Sequence, residues 1–310
     1  MNGTTYQETI RRKGVPIRVN AVRAENKAFI ISGRFIKTAA LKNEWQEDLD
    51  DPDNVIRELK ASPAGIDLLR FWQRIPDSEA KFGYYREQRD IAAILIKDYE
   101  TWWVKQINSK TRNMVRKSQK AGVTIDQVEF SDHLIGGIMD IFNESPIRRG
   151  KPFWHYRKDF DTVKKEMSLD LQNSIFIAAY YREDLIGYTK LLVTDRYAMI
   201  TMILDKMLHR NKSPMNGMIA KAVEICAARR IPYLTYTVWR RGDHGEFQKH
   251  NGFQQISVPE YFVPLTLKGE IALRLGLHKA LKGAIPEKMM VWLLWLRSKW
   301  YSMRHPQKTA

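Results

Sequence analysis

Phe247-Gln-Lys-His-Asn-Gly-Phe253 decides how the second half of this chain is read: a short helix ending in Asn-Gly leads straight into an apolar strand. Working back from it, residues 233–238 (Y-L-T-Y-T-V) form a β-rich run that follows the break at Ile231-Pro232. Before that break, Ser213-Pro214 reads as N-cap and first helical position. Met215, Met218, Ile219, Ala222, Val223 and Cys226 then recur at helical spacing, and Arg229-Arg230 suits the negative end of the helix dipole. Earlier still, residues 174–180, 185–193 and 198–204 are β-rich runs joined by the turns Arg182-Glu-Asp184 and Thr194-Asp-Arg196. The order strand-strand-strand-helix-strand-helix-strand predicts an antiparallel meander, a helical crossover, and a fourth strand parallel to a neighbour.

The first half is less regular. Residues 28–36 and 91–96 read as strands, 66–73 as helical, and 100–121 as one long helix closed by Gly122, with a strand at 123–128. Six acidic residues between Glu44 and Asp53 mark an exposed loop or helix start. At 310 residues, 44% hydrophobic and 28% charged, the chain is long enough for two domains and unlike a disordered one. The polar N-terminus shows no secretory pattern and no apolar run reaches the roughly 18–20 residues of a spanning helix, which makes a cytoplasmic protein the expectation. One cysteine, Cys226, rules out an internal disulfide, and the seven histidines lack metal-ligand spacing, so no metal is expected. The net charge of +16 calls for acidic partners: nucleic acid, a phosphorylated donor or anionic lipid.

The opening segment resembles the F-x-x-x-x-G-F stretch that closes the core of GCN5-related N-acetyltransferase folds. Lys110-Thr-Arg-Asn-Met-Val-Arg-Lys-Ser-Gln-Lys-Ala-Gly-Val123 resembles the segment linking the halves of Fem-type aminoacyltransferase-like proteins, which are similar to tandem acetyltransferase folds. Asn143-Glu-Ser-Pro-Ile-Arg-Arg-Gly-Lys151, with Phe153 and Tyr156, resembles the opening of their second lobe. Leu265-Thr-Leu-Lys-Gly269 and Leu275-Gly-Leu-His278 resemble the tail that follows. The resemblance implies an α/β (α+β) fold of tandem acetyltransferase-like lobes, the N-terminal one degenerate, each a mixed, mostly antiparallel sheet flanked by helices. The lobes would occupy residues 1–125 and 126–270, with 271–310 a basic helical tail. It also implies transfer of an acyl group from acyl-CoA or aminoacyl-tRNA to an amine.

Two departures bear on that implication. Coenzyme A users carry glycines between the third strand and the helix, whose N–H groups cradle pyrophosphate. Here that stretch is Leu208-His-Arg-Asn-Lys-Ser-Pro-Met-Asn-Gly217: the glycines are missing and Pro214 removes a donor. Arg210, Lys212, Asn216 and Gly217 are the donor-binding candidates. A tyrosine that protonates the leaving thiolate in many acetyltransferases is matched by Gln248, with Lys249 and His250 beside it.

Acylating an amine requires removal of its proton. Asp205, after the third strand, is a candidate base or substrate anchor, or else a turn carboxylate paired with Lys206. Glu144 with Arg148 and Arg149 reads as an acceptor or phosphate site, or as a surface ion-pair cluster. Tyr156 either completes that site or packs. Tyr236, Trp239 and His244 fall at the carboxyl end of the fourth strand, where open α/β sheets bind ligands, and His244 is the second candidate base. Lys249 is a further substrate-binding candidate. Arg112, Arg116 and Lys120 share one helix face that either tracks an RNA backbone or is solvated. Residues 287–304 combine an apolar run with Trp292, Trp295, Trp300 and basic residues, as in a helix lying in an anionic membrane interface, or one packed on the protein.

The reading is an N-acyltransferase that moves an acyl group from acyl-CoA, such as acetyl-CoA, to a small-molecule or cell-envelope amine by direct attack. The alternatives are a Fem-type transferase using aminoacyl-tRNA and a non-enzymatic binder of RNA or anionic membrane.

Overall fold

A computed structural model describes residues 4–12 and 15–278. The chain runs β1 (Thr5–Arg12), β2 (Val15–Ala24), β3 (Lys27–Ser32), β4 (Thr38–Leu41), α1 (Pro52–Ala61), β5 (Leu68–Trp72), β6 (Arg86–Leu95), α2 (Tyr99–Thr101) and α3 (Ser109–Lys120). It continues through β7 (Val123–Val128), α4 (Asp132–Asn143), β8 (Ile147–Arg148), β9 (Lys151–Pro152), α5 (Phe160–Met167), β10 (Ser174–Tyr181), β11 (Asp184–Val193) and β12 (Ala198–Asp205). It closes with α6 (Pro214–Ala228), β13 (Tyr233–Val238), α7 (Asp243–His250), β14 (Gln254–Pro264) and α8 (Leu267–Arg274). Two compact units emerge, one of residues up to 89 with 147–154 and 258 onward, the other of 90–146 and 155–257.

In the first unit β1 to β4 form an antiparallel meander, α1 crosses over, and β5 pairs parallel with β4 through Thr38↔Leu68, Ala39↔Leu69 and Ala40↔Arg70. Glu260–Pro264 of β14 pair antiparallel with β5. Its core contains Val22, Phe29, Leu59, Leu69, Phe71 and Tyr261. Within residues 66–73, read above as helical, 68–72 form strand β5 instead. Leu68, Leu69, Phe71 and Trp72 are all buried, and a strand covered on both faces shows no alternation to distinguish it from a helix.

The second unit repeats the plan. β7, β10, β11 and β12 are antiparallel neighbours, α6 crosses over, and β13 pairs parallel with β12 and antiparallel with Ile91–Leu95 of β6. In each unit the strand pairing is therefore mixed and mostly antiparallel, with one parallel pair made by a helical crossover, as expected for the fold class. Met218, Ile219, Ala222, Val223 and Cys226 of α6 lie on the core with Ile177, Ile186, Ile200 and Leu234. The single long helix expected at 100–121 is broken. A π-helical turn, Trp102–Gln106, ends at Ile107 in extended backbone, and the Asn108 side chain caps α3 by accepting from the Thr111 N–H. Burial of Ile107 and Trp102 fixes the break. Among the described residues no helix is long and apolar enough to cross a membrane. The segment 287–304 lies outside the described residues.

Candidate functional site

β12 and β13 are paired only at Ala198↔Leu234 and Met199↔Thr235. Beyond these two pairs the parallel strands part, leaving their carboxyl ends unjoined within the second unit. Pairing stops because β13 is drawn to the other side. It keeps its partner in β6 with a bulge between Thr235 and Val238, and Thr237 takes the left-handed conformation at φ 58°. The N-termini of α6 and α7 follow the two strand ends, so backbone N–H groups and several candidate side chains gather at this edge.

Asp205 ends β12 and is buried, with its Oδ1 accepting from the Arg210 Nε at 3.2 Å. The partner is Arg210 rather than the adjacent Lys206, because residues 207–212 wind into a 3-10 helix that brings the guanidinium back. Glu144, just past α4, accepts the N–H groups of Met207 and Leu208 at 2.6 and 3.0 Å. Its carboxylate thus caps the start of that 3-10 helix, a role invisible in sequence because the partners are more than sixty residues away. Lys212 places its ammonium 4.4 Å from the Tyr181 ring centroid. His209 packs tilted against the same ring, centroids 5.6 Å apart, and burial together with the Lys212 and Lys206 charges holds its imidazole below the usual histidine value.

At the start of α6, Ser213 is the N-cap residue and Pro214 opens the first turn, as read from sequence, but at φ 57° the Ser213 side chain makes no capping hydrogen bond. Asn216 donates to the Asn251 Oδ1 at 3.0 Å, tying α6 to the end of α7. Gly217 is buried against α3 and β7: a Cβ there would lie 2.3 Å from Ile125 Cδ1 and 3.3 Å from Ser118 Oγ. Its missing side chain serves helix packing, on the face turned toward these neighbours.

On β13, the Tyr236 ring lies between His244 at 5.1 Å and Phe253 at 6.0 Å. Trp239 packs on the core and its backbone N–H donates to the Asp90 carbonyl at 2.8 Å. Gln248, fully buried, donates to the Tyr236 and Val238 carbonyls and accepts from the Arg240 N–H at 3.0 Å. It staples α7 to the end of β13 and leaves no acid at the position where many acetyltransferases carry a tyrosine. Lys249 and His250 are exposed on the far side of α7. Tyr156 sits under the Arg157 guanidinium at 5.3 Å. Arg148 and Arg149 belong to the other unit, on the β8–β9 hairpin: Arg148 is buried with its guanidinium over Phe153, while Arg149 is exposed at φ 52°.

The structure therefore gathers Asp205, Arg210, Lys212 and Asn216 on one connection, and Tyr236, Trp239 and His244 on the next. Sequence reading missed Asn251 and Lys190. The second was visible as a lone charge inside L-I-G-Y-T-K-L-L-V. Among the described residues no cluster of three or more His, Cys, Asp or Glu is disposed to hold a metal ion.

A coenzyme A pyrophosphate would find a mixed welcome here. The first N–H groups of the 3-10 helix are taken by Glu144, Pro214 has none, and Arg210 is engaged by Asp205. The Lys212 ammonium and the first-turn N–H groups of Met215 and Asn216 remain as anion contacts.

No family model matches the chain, and no curated protein matches its sequence. Solved structures do share its fold. L-PGS from Bacillus licheniformis superposes with a TM-score of 0.55 at 12% identity, covering 78% of this chain and 83% of that one. The C-terminal DUF2156 domain of a protein described as a lysylphosphatidylglycerol synthetase, from Agrobacterium fabrum, gives 0.54 at 15%, covering 83% and 87%. FemX gives 0.52 at 9%, covering 84% and 89%. The strand-meander, crossover-helix, parallel-strand plan of this chain is thus the GCN5-related N-acetyltransferase-like fold that it shares with FemX and these synthetase structures.

Proposed function

We propose that the protein is an acyltransferase that delivers an activated acyl group to an amine by direct attack. The observation that carries this is the parting of β12 from β13 after two residue pairs, which opens the sheet where the N-termini of α6 and α7 follow the strand ends, with Asp205 closing β12 and Tyr236 and His244 at the far end of β13 and the start of α7. An opening of this kind admits an extended acyl chain between strands, and unpaired backbone groups along it can hydrogen-bond the donor and its carbonyl. The amine nitrogen attacks the acyl carbon, the C–N bond forms, and the bond to the leaving sulfur or oxygen breaks with its electron pair. The amine proton passes to a base, for which Asp205 and His244 are the candidate side chains. Glu144 is set aside as a base because both of its oxygens already accept backbone N–H groups. Cys226 is buried and its thiol is pushed up to about 12, which fits direct attack rather than a covalent intermediate.

For the donor, acyl-CoA is the first reading. The second, an aminoacyl ester carried on tRNA, is favoured by the incomplete pyrophosphate cradle at residues 207–217. The acceptor is an amine on a small molecule or a cell-envelope component. Calorimetric titration of the full chain with acetyl-CoA and with coenzyme A at moderate salt tests the first reading, with saturable one-to-one binding in the micromolar range expected. Binding of charged tRNA in its place would select the second. If the folded chain binds neither, the transferase reading fails. Asp205→Asn and His244→Ala are expected to retain donor binding while turnover falls by roughly a hundredfold or more for whichever residue is the base.

A further inference from the structure

In the first unit Leu267, Ile271 and Leu275 follow at intervals of four residues, along α8 and its C-cap, with exposures of 79%, 58% and 67%. The opposite face, with Gly269 and Ala272, is buried, so α8 is amphipathic in reverse: its larger apolar side chains point to solvent. Phe35, on the loop after β3, is 79% exposed as well. These two apolar elements are held to one another by Asp67. Its carboxylate accepts the Lys37 N–H at 2.8 Å, the Thr266 hydroxyl at 2.9 Å and the Lys268 ammonium at 3.3 Å. Thr266 in turn caps α8 by accepting from the Gly269 N–H. Asp67 thus anchors both the Phe35 loop and the start of α8, and large apolar side chains held exposed on anchored elements mark a candidate interaction site.

We propose that this surface docks on an anionic lipid bilayer. Charge selects that occupant. From residue 271 to 310 the sequence carries eight Lys or Arg against one Glu, and the chain as a whole has a net charge of +16. A second copy would bring like charge against like, whereas an anionic membrane surface attracts a chain of this charge. The same stretch of sequence includes Met-Met-Val-Trp-Leu-Leu-Trp-Leu at residues 289–296, flanked by basic residues, a composition suited to the headgroup boundary. The inference is independent of the transferase reading.

The test is cosedimentation of the full chain with vesicles of phosphatidylcholine alone, or of phosphatidylcholine with one-third phosphatidylglycerol. The wild type is expected to bind the anionic vesicles roughly tenfold or more tightly than the neutral ones, and to release them as salt rises. Phe35→Ser combined with Ile271→Ser should weaken binding to anionic vesicles roughly tenfold while the thermal unfolding midpoint stays at the wild-type value. Three outcomes would overturn the proposal. One is equal vesicle binding by wild type and variant, or none by the wild type. Another is a wild-type dimer in sedimentation equilibrium that the variant splits. The last is a clear fall in the variant's unfolding midpoint, which would mean the surface is covered within the chain itself.

Discussion

Lys190 stands in the middle of β11, 6% exposed, between neighbours that are all buried. Its ammonium donates to the carbonyls of Met167 at 2.9 Å and Leu169 at 2.6 Å, just past the last turn of α5, where the helix dipole is negative. Burial still dominates and brings the group down to about 8, with the Asp170 charge opposing. The unfolded chain returns it to ~10.4. Because the folded value is the lower one, the unfolded state binds more protons between these limits. Stability therefore rises with pH across that window and is lost again as pH falls through about 8. We expect urea unfolding to show a gain on the order of 3 kcal/mol from pH 7 to 10.5 in the wild type relative to Lys190→Met. Parallel pH profiles for the two proteins would show that Lys190 keeps its usual affinity for protons. That a charge lies inside an apolar run is plain from the sequence. That it meets the end of a helix more than twenty residues earlier is not.

The junction of β13 and α7 is the element on which the candidate site depends most directly. Gln248 holds it with three backbone hydrogen bonds, and Gly245 lets the first turn of α7 close on the preceding loop. A Cβ at Gly245 would lie 2.1 Å from the Arg240 carbonyl oxygen, a backbone atom that cannot rotate aside. Gly245→Ala is expected to cost ~1–3 kcal/mol in urea unfolding and to weaken donor binding, since Trp239 and His244 flank the displaced segment. Unchanged affinity in a destabilised variant would separate this junction from the donor site. At the same level, the basic helix read from 100 to 121 shows how periodicity misleads. Arg112 seemed to join Arg116 and Lys120 on an exposed face, yet its guanidinium donates to the carbonyls of Trp103 and Ile107 and closes the π-helical turn. Arg116 lies over the Trp103 ring. A charged side chain's partners depend on where the helix breaks, and burial of Ile107 decides that.

The two cores share no residue: one comprises Phe29, Phe71 and Tyr261 with their neighbours, the other Ile177, Ile200 and Leu234 with theirs. Phe71→Ala is expected to cost ~3–5 kcal/mol and Ile177→Ala ~2–5 kcal/mol, and with no partner in common the double variant should show their sum within ~0.5 kcal/mol. A shortfall of more than about 1 kcal/mol in denaturant unfolding would mean that the cores report on each other. Much of this architecture could be read without coordinates. The meander from Ser174 to Asp205, the crossover helix and the parallel β13 are written in β-rich runs, turn residues and helical spacing, all of which are local. β1 and β2 went unread although Ile17-Arg-Val-Asn-Ala21 alternates, because the alternation is short and sits in a polar, strongly basic stretch, and β5 because its continuous burial erases a period. The candidate site divides in the same way. Local order along the chain put Asp205 and His244 at strand ends, since a strand that leads into a helix must place its last residues at that edge. The Glu144 cap on residues 207 and 208, the Asp205–Arg210 pair, the Asn216–Asn251 bond and the short parallel pairing that opens the sheet came from the folded chain. Each depends on how far two segments run before they diverge. That distance is set by the packing of side chains remote in sequence, which no local pattern encodes.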